Sequence, residues 1–216
     1  MSRYDAAGIE AEFEPGSRCR VLRNLCGISS SRGMQFAESR ALEAVEEVLL
    51  TRFAAGHRFT ADDVRLIHRL WLAEIYAWAG DYRNVNIAKG GFMFAAAQQV
   101  PRLMGEFEAR FLRPLTPCAG MDDAALVAAL ARTHAELVII HPFRGGNGRC
   151  ARLLAWLMAL QAGLPPLDFS PFQGRGKRHY IAAIHAAFSG NYKPMETMFS
   201  RVVRRTLRAY APEPVR

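Results

Sequence analysis

The stretch HPFRGGNGRCAR, residues 141–152, decides the fold because it sets a polar, glycine-rich loop between two apolar segments. LVII at 137–140 precedes it, and LLAWLMAL at 153–160 follows it. Pro142 disfavours a helical backbone at the residue before it, so we predict that His141 is extended and that the first helix ends there. The glycines then allow a turn, after which the second apolar segment begins a new helix. The stretch therefore predicts a helix, a loop and a second helix.

The loop has the residue types of an anion-binding site. The first N–H groups of a helix have no partner within the helix, and the helix dipole puts partial positive charge there. Gly146 and Gly148, with Asn147 between them, let neighbouring N–H groups converge on one anion. Arg149 and Arg152 are three residues apart, so they share a helix face and can both bind phosphate oxygens. We predict a phosphate cradle; the alternative is a flexible connection whose arginines are solvated.

His141 is the candidate catalytic residue. A neutral imidazole beside a phosphate cradle can take the proton from an attacking hydroxyl, which is typically worth about 10²- to 10⁴-fold in rate. The alternative is a histidine that only caps the end of its helix. Its position five residues before the Gly-Asn-Gly turn favours the catalytic interpretation.

Two other nucleotide-binding patterns fit this loop less well. The Walker A pattern needs Lys followed by Ser or Thr, where this chain has Arg149-Cys150. The glycine spacing also fits a dinucleotide-binding pattern, and Asp168 lies where a ribose-binding acid would be. That pattern requires a strand before the loop, whereas the residues before this loop have helical spacing. The sequence therefore disfavours a dinucleotide site.

The remaining chain predicts an all-α fold with one small β-hairpin flap. Apolar residues recur at helical spacing in most segments, and TADD at 60–63 is typical of a helix N-terminus. Residues 85–95 instead alternate around a Lys-Gly-Gly turn, as the strands of a hairpin do. We predict three regions: an irregular N-terminal arm at 1–34, a helical domain at 35–210 and a tail at 211–216.

Composition and charge limit the class of partner. Lys and Arg total 28 against 20 Asp and Glu, and the resulting charge of +8 favours anionic partners. The four cysteines form no CxxC pair and their spacings fit no zinc pattern, and we expect reduced thiols rather than a disulfide framework. We expect a cytoplasmic protein without a membrane partner, because there is no signal-peptide core and no apolar run of the ~20 residues that a span needs. A basic nucleic-acid binder would explain the charge but leave His141 without a role, so nucleic acid is not favoured.

Residues 141–152 resemble the signature of the Fic (filamentation induced by cAMP) family, H-P-F-x-[D/E]-G-N-G-R-x-x-R, with one departure. Segments outside the loop are also similar to the family. NIAKGGFMFA (86–95) resembles its β-hairpin flap, IYAWAGDYR (75–83) the segment before the flap, and LRNLCGISS (22–30) its N-terminal start. YIAAIHAAFSGNYKPMETMF (180–199) is similar to its C-terminal helices. The resemblance covers residues from about 20 to 205 and implies a Fic-type helical bundle.

Membership of this family implies a nucleotidyltransferase that moves AMP from ATP to a Tyr, Ser or Thr hydroxyl of a target protein. Carried over by position, His141 would be the base that deprotonates the target hydroxyl, and Phe143 would anchor the loop. The nucleotide phosphates would be held by Gly146, Asn147, Gly148, Arg149 and Arg152. The flap positions that would pair with the target segment are Ile87, Ala88, Lys89, Gly90, Gly91 and Phe92.

The departure is Gly145, which stands at the acidic position of the signature. In the family this carboxylate holds the Mg²⁺ that bridges the nucleotide phosphates, so Mg²⁺ is expected to be weakly held here. Three alternatives follow: a slow transferase, one with an altered nucleotide or metal requirement, and a catalytically weak module that acts as a nucleotide-dependent binding protein. An introduced substitution would be a fourth explanation.

A second motif of many relatives, the inhibitory [S/T]-x-x-x-E-[G/N], has no match, because no Glu in this chain is followed by Gly or Asn. In those relatives the Glu pairs with the arginine at the position of Arg152. The resemblance therefore leaves two alternatives. Either a separate small antitoxin supplies the inhibitory Glu to a toxin-type enzyme, or the chain has no such control.

Overall fold

A computed structural model describes residues 5–6, 12–89 and 92–211. Helices dominate it, and the only sheet within these residues is small, so the predicted all-α class with one β flap is confirmed. None of the described helices combines the length and the apolar character that a membrane span requires. The predicted tail lies outside the described residues from 212 onward.

The described residues group into two compact units. The first is drawn from Met1–Arg52, Thr60–Glu106 and Ile140–Cys150, and the second from Phe53–Phe59, Phe107–Ile139 and Ala151–Arg216. The glycine loop lies in the first unit together with the flap. The predicted division into arm, domain and tail stays a prediction.

The first unit is built on two long helices that pack together, α1 (Ser31–Arg52) and α2 (Ala61–Leu72). The predicted N-terminus of α2 is confirmed. The Thr60 hydroxyl accepts a hydrogen bond from the Asp63 N–H at 3.2 Å, and the Asp63 carboxylate accepts one from the Thr60 N–H at 2.9 Å. The apolar face of α2 is buried, and two of its side chains, Trp71 and Leu72, lie next to Gly146 of the glycine loop. Its buried apolar residues are Val64, Ile67, Trp71 and Leu72.

The flap is an antiparallel sheet. Strand β2 (Ile87–Lys89) pairs with β3 (Phe92–Met93), and this confirms the predicted hairpin. Its turn residues Gly90 and Gly91 lie outside the described residues. A third strand, β1 (Asp5–Ala6), pairs antiparallel with β2, although the arm was predicted to be irregular. A strand of two residues is too short to produce an alternating pattern, so the sequence does not predict it.

Helix α3 (Val100–Phe107) continues through a π-helical turn at Glu108–Leu112 into the short α4 (Arg113–Leu115). Two long helices follow, α5 (Asp123–Ile140) before the glycine loop and α6 (Asn147–Gln161) after it. The last two described helices, α7 (Lys177–Phe188) and α8 (Lys193–Tyr210), pack on each other in the second unit. The helix, loop, helix order predicted for residues 137–160 is therefore confirmed.

Candidate functional site

His141 follows the last residue of α5 and is buried, with a backbone φ of +54°. The helix ends where it was predicted to end, but the predicted extended backbone is wrong. A positive φ is uncommon for a residue with a side chain and needs support from its surroundings. That support comes from Arg83, whose Nε donates to the His141 carbonyl at 2.8 Å. The Phe94 ring stacks on the imidazole, with 3.8 Å between centroids.

The loop after His141 is closed by the side chain of Asn147. The Asn147 Oδ1 accepts from the Phe143 N–H at 2.9 Å, and its Nδ2 donates to the Phe143 carbonyl at 2.8 Å. The Gly146 carbonyl accepts the N–H groups of Arg149 and Cys150, both at 2.9 Å. Asn147 and Gly148 are the first residues of α6, so their N–H groups have no partner within the helix. The donors needed for an anion are therefore grouped at one helix N-terminus.

Position 146 requires glycine, both because of its backbone conformation and because of the side chains around it. Its φ is +74°, which glycine adopts without strain. A Cβ at this position would lie 2.8 Å from Trp71 Cζ3 and 3.1 Å from His68 Nε2. The loop therefore approaches α2 more closely than any side chain at position 146 would allow.

His68 holds the loop on α2, a role that was not predicted from the sequence. Its Nδ1 accepts the Gly80 N–H at 2.9 Å, so the proton of the neutral ring is on Nε2, which lies 3.1 Å from the Gly145 carbonyl. The ring stacks on Phe143 at 3.9 Å. Burial, as the larger cause, and the charge of Arg149 together lower the pKa of His68 to about 3, against the opposing effect of the hydrogen bond to the Gly145 carbonyl. His68 is therefore neutral at physiological pH and acts as a structural donor.

Arg149 lies in a partly buried cluster around a carboxylate of α1. Its Nη2 is 2.6 Å from Glu38 Oε2, and its guanidinium lies 4.6 Å from the centroid of the Trp71 ring. The Tyr76 hydroxyl donates to Glu38 Oε1 at 2.9 Å, and Trp71 Nε1 donates to the Glu38 carbonyl at 3.0 Å. Glu38 was not predicted from the sequence, because nothing in its neighbourhood on α1 distinguishes it from the other acids there. The role of Arg149 as a phosphate ligand stays a prediction.

Arg152 lies one turn further along α6 and belongs to the second compact unit. There its charge, together with burial as the larger cause, lowers the pKa of His134 to about 3. The His134 side chain is buried, and its Nε2 is 2.9 Å from the Tyr180 hydroxyl. In the same unit Asp168 forms an ion pair with Arg205 of α8. The predicted role of Arg152 at the nucleotide stays a prediction.

The flap residues differ in their environment. Ile87 is buried, Ala88 and Phe92 are half-buried, and Lys89 is exposed. Met93, which was not among the predicted docking residues, is 68% exposed. The flap thus presents the apolar side chain of Met93 to solvent. Target docking by these residues stays a prediction.

Position 145 offers no ligand for the Mg²⁺ that the resemblance implies. A Cβ there would lie 3.2 Å from Trp78 Cη2, so the indole ring occupies the space next to this glycine. Within the described ranges, no group of three or more His, Cys, Asp or Glu side chains could hold a metal ion. The part of the chain that the structure describes therefore supplies no three-ligand metal site of its own.

Comparison with known proteins relates this chain to a protein family. Residues 58–159 match the family model described as Fic/DOC family. The protein adenylyltransferase VbhT of Bartonella schoenbuchensis is 30% identical over 143 residues, which are 66% of this chain and 30% of VbhT. A protein adenylyltransferase Fic of Nematostella vectensis is 31% identical over 171 residues, 78% of this chain and 38% of that protein. The chain thus spans about a third of the length of these curated relatives.

A solved structure agrees with the sequence relatives. The crystal structure of BepC from Bartonella tribocorum, a VirB-translocated effector with bound AMPPNP, superposes with a TM-score of 0.67 and 26% identity. The superposition covers 84% of this chain and 91% of the BepC chain. The motif loop, the flap and these similarities lead to one conclusion: the chain belongs to the Fic/DOC family.

Proposed function

We propose that the chain is a protein adenylyltransferase, which moves AMP from ATP to a Tyr, Ser or Thr hydroxyl of a target protein. One observation carries this proposal: a single loop joins a buried, oriented imidazole to a glycine-rich helix N-terminus, His141 to Gly148. The names of the relatives, which are protein adenylyltransferases, support it. The adenine nucleotide bound to BepC supports ATP as the donor.

The proposed reaction is an in-line displacement at the α-phosphorus of ATP. The target oxygen forms a bond to this phosphorus, the bond to the bridging oxygen of the β-phosphate breaks, and pyrophosphate leaves with the electron pair. His141 takes the proton of the hydroxyl as the new bond forms. The N–H groups of Asn147 and Gly148 would stabilise the developing charge, and Arg149 and Arg152 would bind the outer phosphates.

Target docking on the flap is part of the proposal. An extended target segment would pair with the flap backbone, as peptides add to exposed strand edges. Strand β1 already pairs with β2, with Asp5 opposite Ala88. A target strand would therefore add at β3 or take the place of β1. The exposed side chain of Met93 would contribute an apolar contact at the β3 edge.

Incubation of a bacterial lysate with the chain and ATP labelled at the α-phosphate tests this function, in Mg²⁺ and Mn²⁺ separately. We expect label on protein with the wild-type chain and loss of this label in His141→Ala. His179→Ala, at an exposed position on α7, is the matched control and should transfer normally. Label from ATP marked at the γ-phosphate should not appear on protein. Transfer that survives in His141→Ala would overturn the proposal.

We also propose that control comes from a separate small protein that places a Glu against Arg152. The half-buried position of Arg152 and the basic charge of the chain support an acidic partner. Mixing the chain with the product of a neighbouring small open reading frame should suppress nucleotide binding. Arg152→Gln should abolish that suppression while retaining complex formation. If the partner protein does not change nucleotide binding by the chain, this proposal is wrong.

A second candidate function is nucleotide-dependent binding without turnover. The observation that favours it is Gly145, which offers no metal ligand and packs beside Trp78. Calorimetry with ATP would then give binding, while the labelling experiment would give no transfer with either metal ion. The two experiments together separate the transferase from the binding module.

A further inference from the structure

Arg83 is a buried arginine with 2% of its surface exposed, and the reaction proposed above does not use it. It ends the segment IYAWAGDYR, just before the flap. All three of its guanidinium nitrogens donate to main-chain carbonyl oxygens. Nε donates to His141 at 2.8 Å, Nη1 to Val85 at 2.8 Å and Nη2 to Ala95 at 2.5 Å.

The three acceptors lie at functionally distinct places. Val85 precedes β2 and Ala95 follows β3, so one guanidinium bridges both stems of the flap. The third acceptor is the carbonyl of the proposed catalytic base. The main-chain N–H of Arg83 also donates to the Pro142 carbonyl at 2.9 Å. A single side chain therefore ties the base of the flap to the start of the catalytic loop.

The imidazole of His141 is oriented by the same part of the flap. Phe94, which follows β3 directly, stacks on it with an interplanar angle of 22°. The His141 backbone has φ +54°, a conformation that persists only when its surroundings hold it. Arg83 holds the carbonyl of this residue, and Phe94 holds its ring. The position of the base is thus coupled to the position of the flap.

The planar guanidinium suits this task better than any other side chain. It has five N–H donors in a rigid fork, whereas the lysine ammonium is a compact point charge on a flexible stem. A lysine at position 83 would keep the charge but could not reach carbonyls on three sides with the same geometry. Arg83→Lys therefore loosens the connection without removing the charge.

We propose that Arg83 is a positioning residue, which fixes the distance between the flap and the imidazole of His141. The proposal rests on the proposed function, since the flap would carry the target segment and His141 would deprotonate it. Arg83 touches neither the nucleotide nor the target in this scheme. By holding the flap, Arg83 keeps the hydroxyl of the bound target at a fixed position relative to the His141 imidazole.

Kinetics of Arg83→Lys test this role. We expect kcat for AMP transfer to fall at least about tenfold and KM for the target to rise severalfold. The Kd for ATP should stay within about twofold of wild type, because Asn147 and His68 hold the phosphate loop independently. Arg65→Lys is the matched control, because the Arg65 Nε donates to the Gly80 carbonyl at 3.0 Å in the same segment. It should leave kcat unchanged.

Two measurements do not depend on turnover. In Arg83→Lys, hydrogen exchange of the amides at 87–89 and 92–95 should accelerate at least about tenfold, and the NMR resonance of the His141 ring should shift or broaden. Both effects should appear even if the chain transfers no AMP, so failure of the proposed function can be told apart from failure of this proposal.

Two outcomes would overturn the role of Arg83. One is a folded Arg83→Lys variant with wild-type kcat and an unchanged His141 resonance. The other is a loss of ATP affinity in proportion to kcat, which would indicate general damage to the loop. If Arg83→Lys does not fold, Phe94→Leu tests the same link from the flap side. In Phe94→Leu, kcat should fall while the Kd for ATP stays close to the wild-type value. A wild-type kcat in this variant would also overturn the proposal.

Discussion

Replacement of Gly146 by alanine tests whether the glycine loop is shaped by its contact with α2. The new Cβ would lie 2.8 Å from Trp71 Cζ3, 3.1 Å from His68 Nε2 and 3.2 Å from Leu72 Cδ1. All three neighbours are buried, so none can move into solvent. The backbone φ of +74° is in addition unfavourable for any residue with a Cβ.

The expected loss of stability has two parts. A left-handed backbone costs an alanine about 1–2 kcal/mol relative to glycine. Overpacking in a closely packed region typically adds about 1–3 kcal/mol. The free energy of unfolding should therefore fall by about 2–5 kcal/mol. Displacement of the Trp71 ring would also disturb Arg149, whose guanidinium lies 4.6 Å from the ring centroid.

Gly163→Ala is the matched control, because Gly163 has a φ of +79° but no atom within 4 Å of an added Cβ. It should show the backbone part alone, about 1–2 kcal/mol. Urea unfolding of both variants gives the difference between them, and calorimetry with ATP shows whether Gly146→Ala also weakens nucleotide binding. Equal losses of stability in the two variants, with unchanged ATP affinity in Gly146→Ala, would refute the steric reasoning.

Three further changes have defined outcomes. Gly145→Glu should raise the rate of AMP transfer in Mg²⁺ about tenfold or more, because a bound divalent cation stabilises transition-state charge by several kcal/mol. Glu38→Gln should lower stability by about 1–3 kcal/mol in urea unfolding, since it removes the partner of Arg149, yet it should tighten ATP binding in calorimetry. Stability should fall as the pH drops below about 6.5, because folding keeps His68 neutral while the unfolded chain binds the proton. In urea unfolding at several pH values, the free energy of unfolding of His68→Gln should depend less steeply on pH than that of the wild type, by up to ~1.4 kcal/mol per pH unit.

Each of these changes has a control or a contradicting result. Gly145→Ala is the control for Gly145→Glu, because it adds the contact with Trp78 but no carboxylate. If the rate of AMP transfer is unchanged both in Gly145→Glu and in Gly145→Glu combined with Trp78→Phe, the missing metal ligand is not the limiting defect. Weaker ATP binding in Glu38→Gln would indicate that the ion pair orients Arg149 for the nucleotide. A pH slope in His68→Gln equal to that of the wild type would contradict the neutral His68.

Local patterns predicted those parts of the site whose interactions are short in sequence. The capping box at Thr60 and Asp63 involves residues three apart and was expected from the sequence, whereas the bonds of the Asn147 side chain to Phe143 were not predicted. The end of α5 at His141 and the start of α6 were expected for the same reason, because proline and glycine act on their neighbours. Even so, the backbone of His141 was predicted incorrectly, because its φ depends on Arg83, 58 residues earlier.

Residues that hold the site together through long-range contacts were not predicted. Glu38 meets Arg149 across 111 residues, and His68 meets Gly145 across 77. On a helix, a glutamate that will form an ion pair cannot be told from one that faces solvent. A buried histidine likewise resembles any other residue of an apolar face.

The sequence by itself determined the helical fold and the position of the glycine loop, because periodicity and turn chemistry act over a few residues. The family followed separately, from the resemblance of residues 141–152 to the Fic signature. Only the tertiary structure decided which side chains bind the loop: Glu38 on Arg149, His68 on Gly145 and Arg83 on His141. These contacts join residues that are distant along the chain, and they exist only after helices α1 and α2 and the flap have packed around the loop. Their partners are set by three-dimensional proximity, which no local pattern encodes.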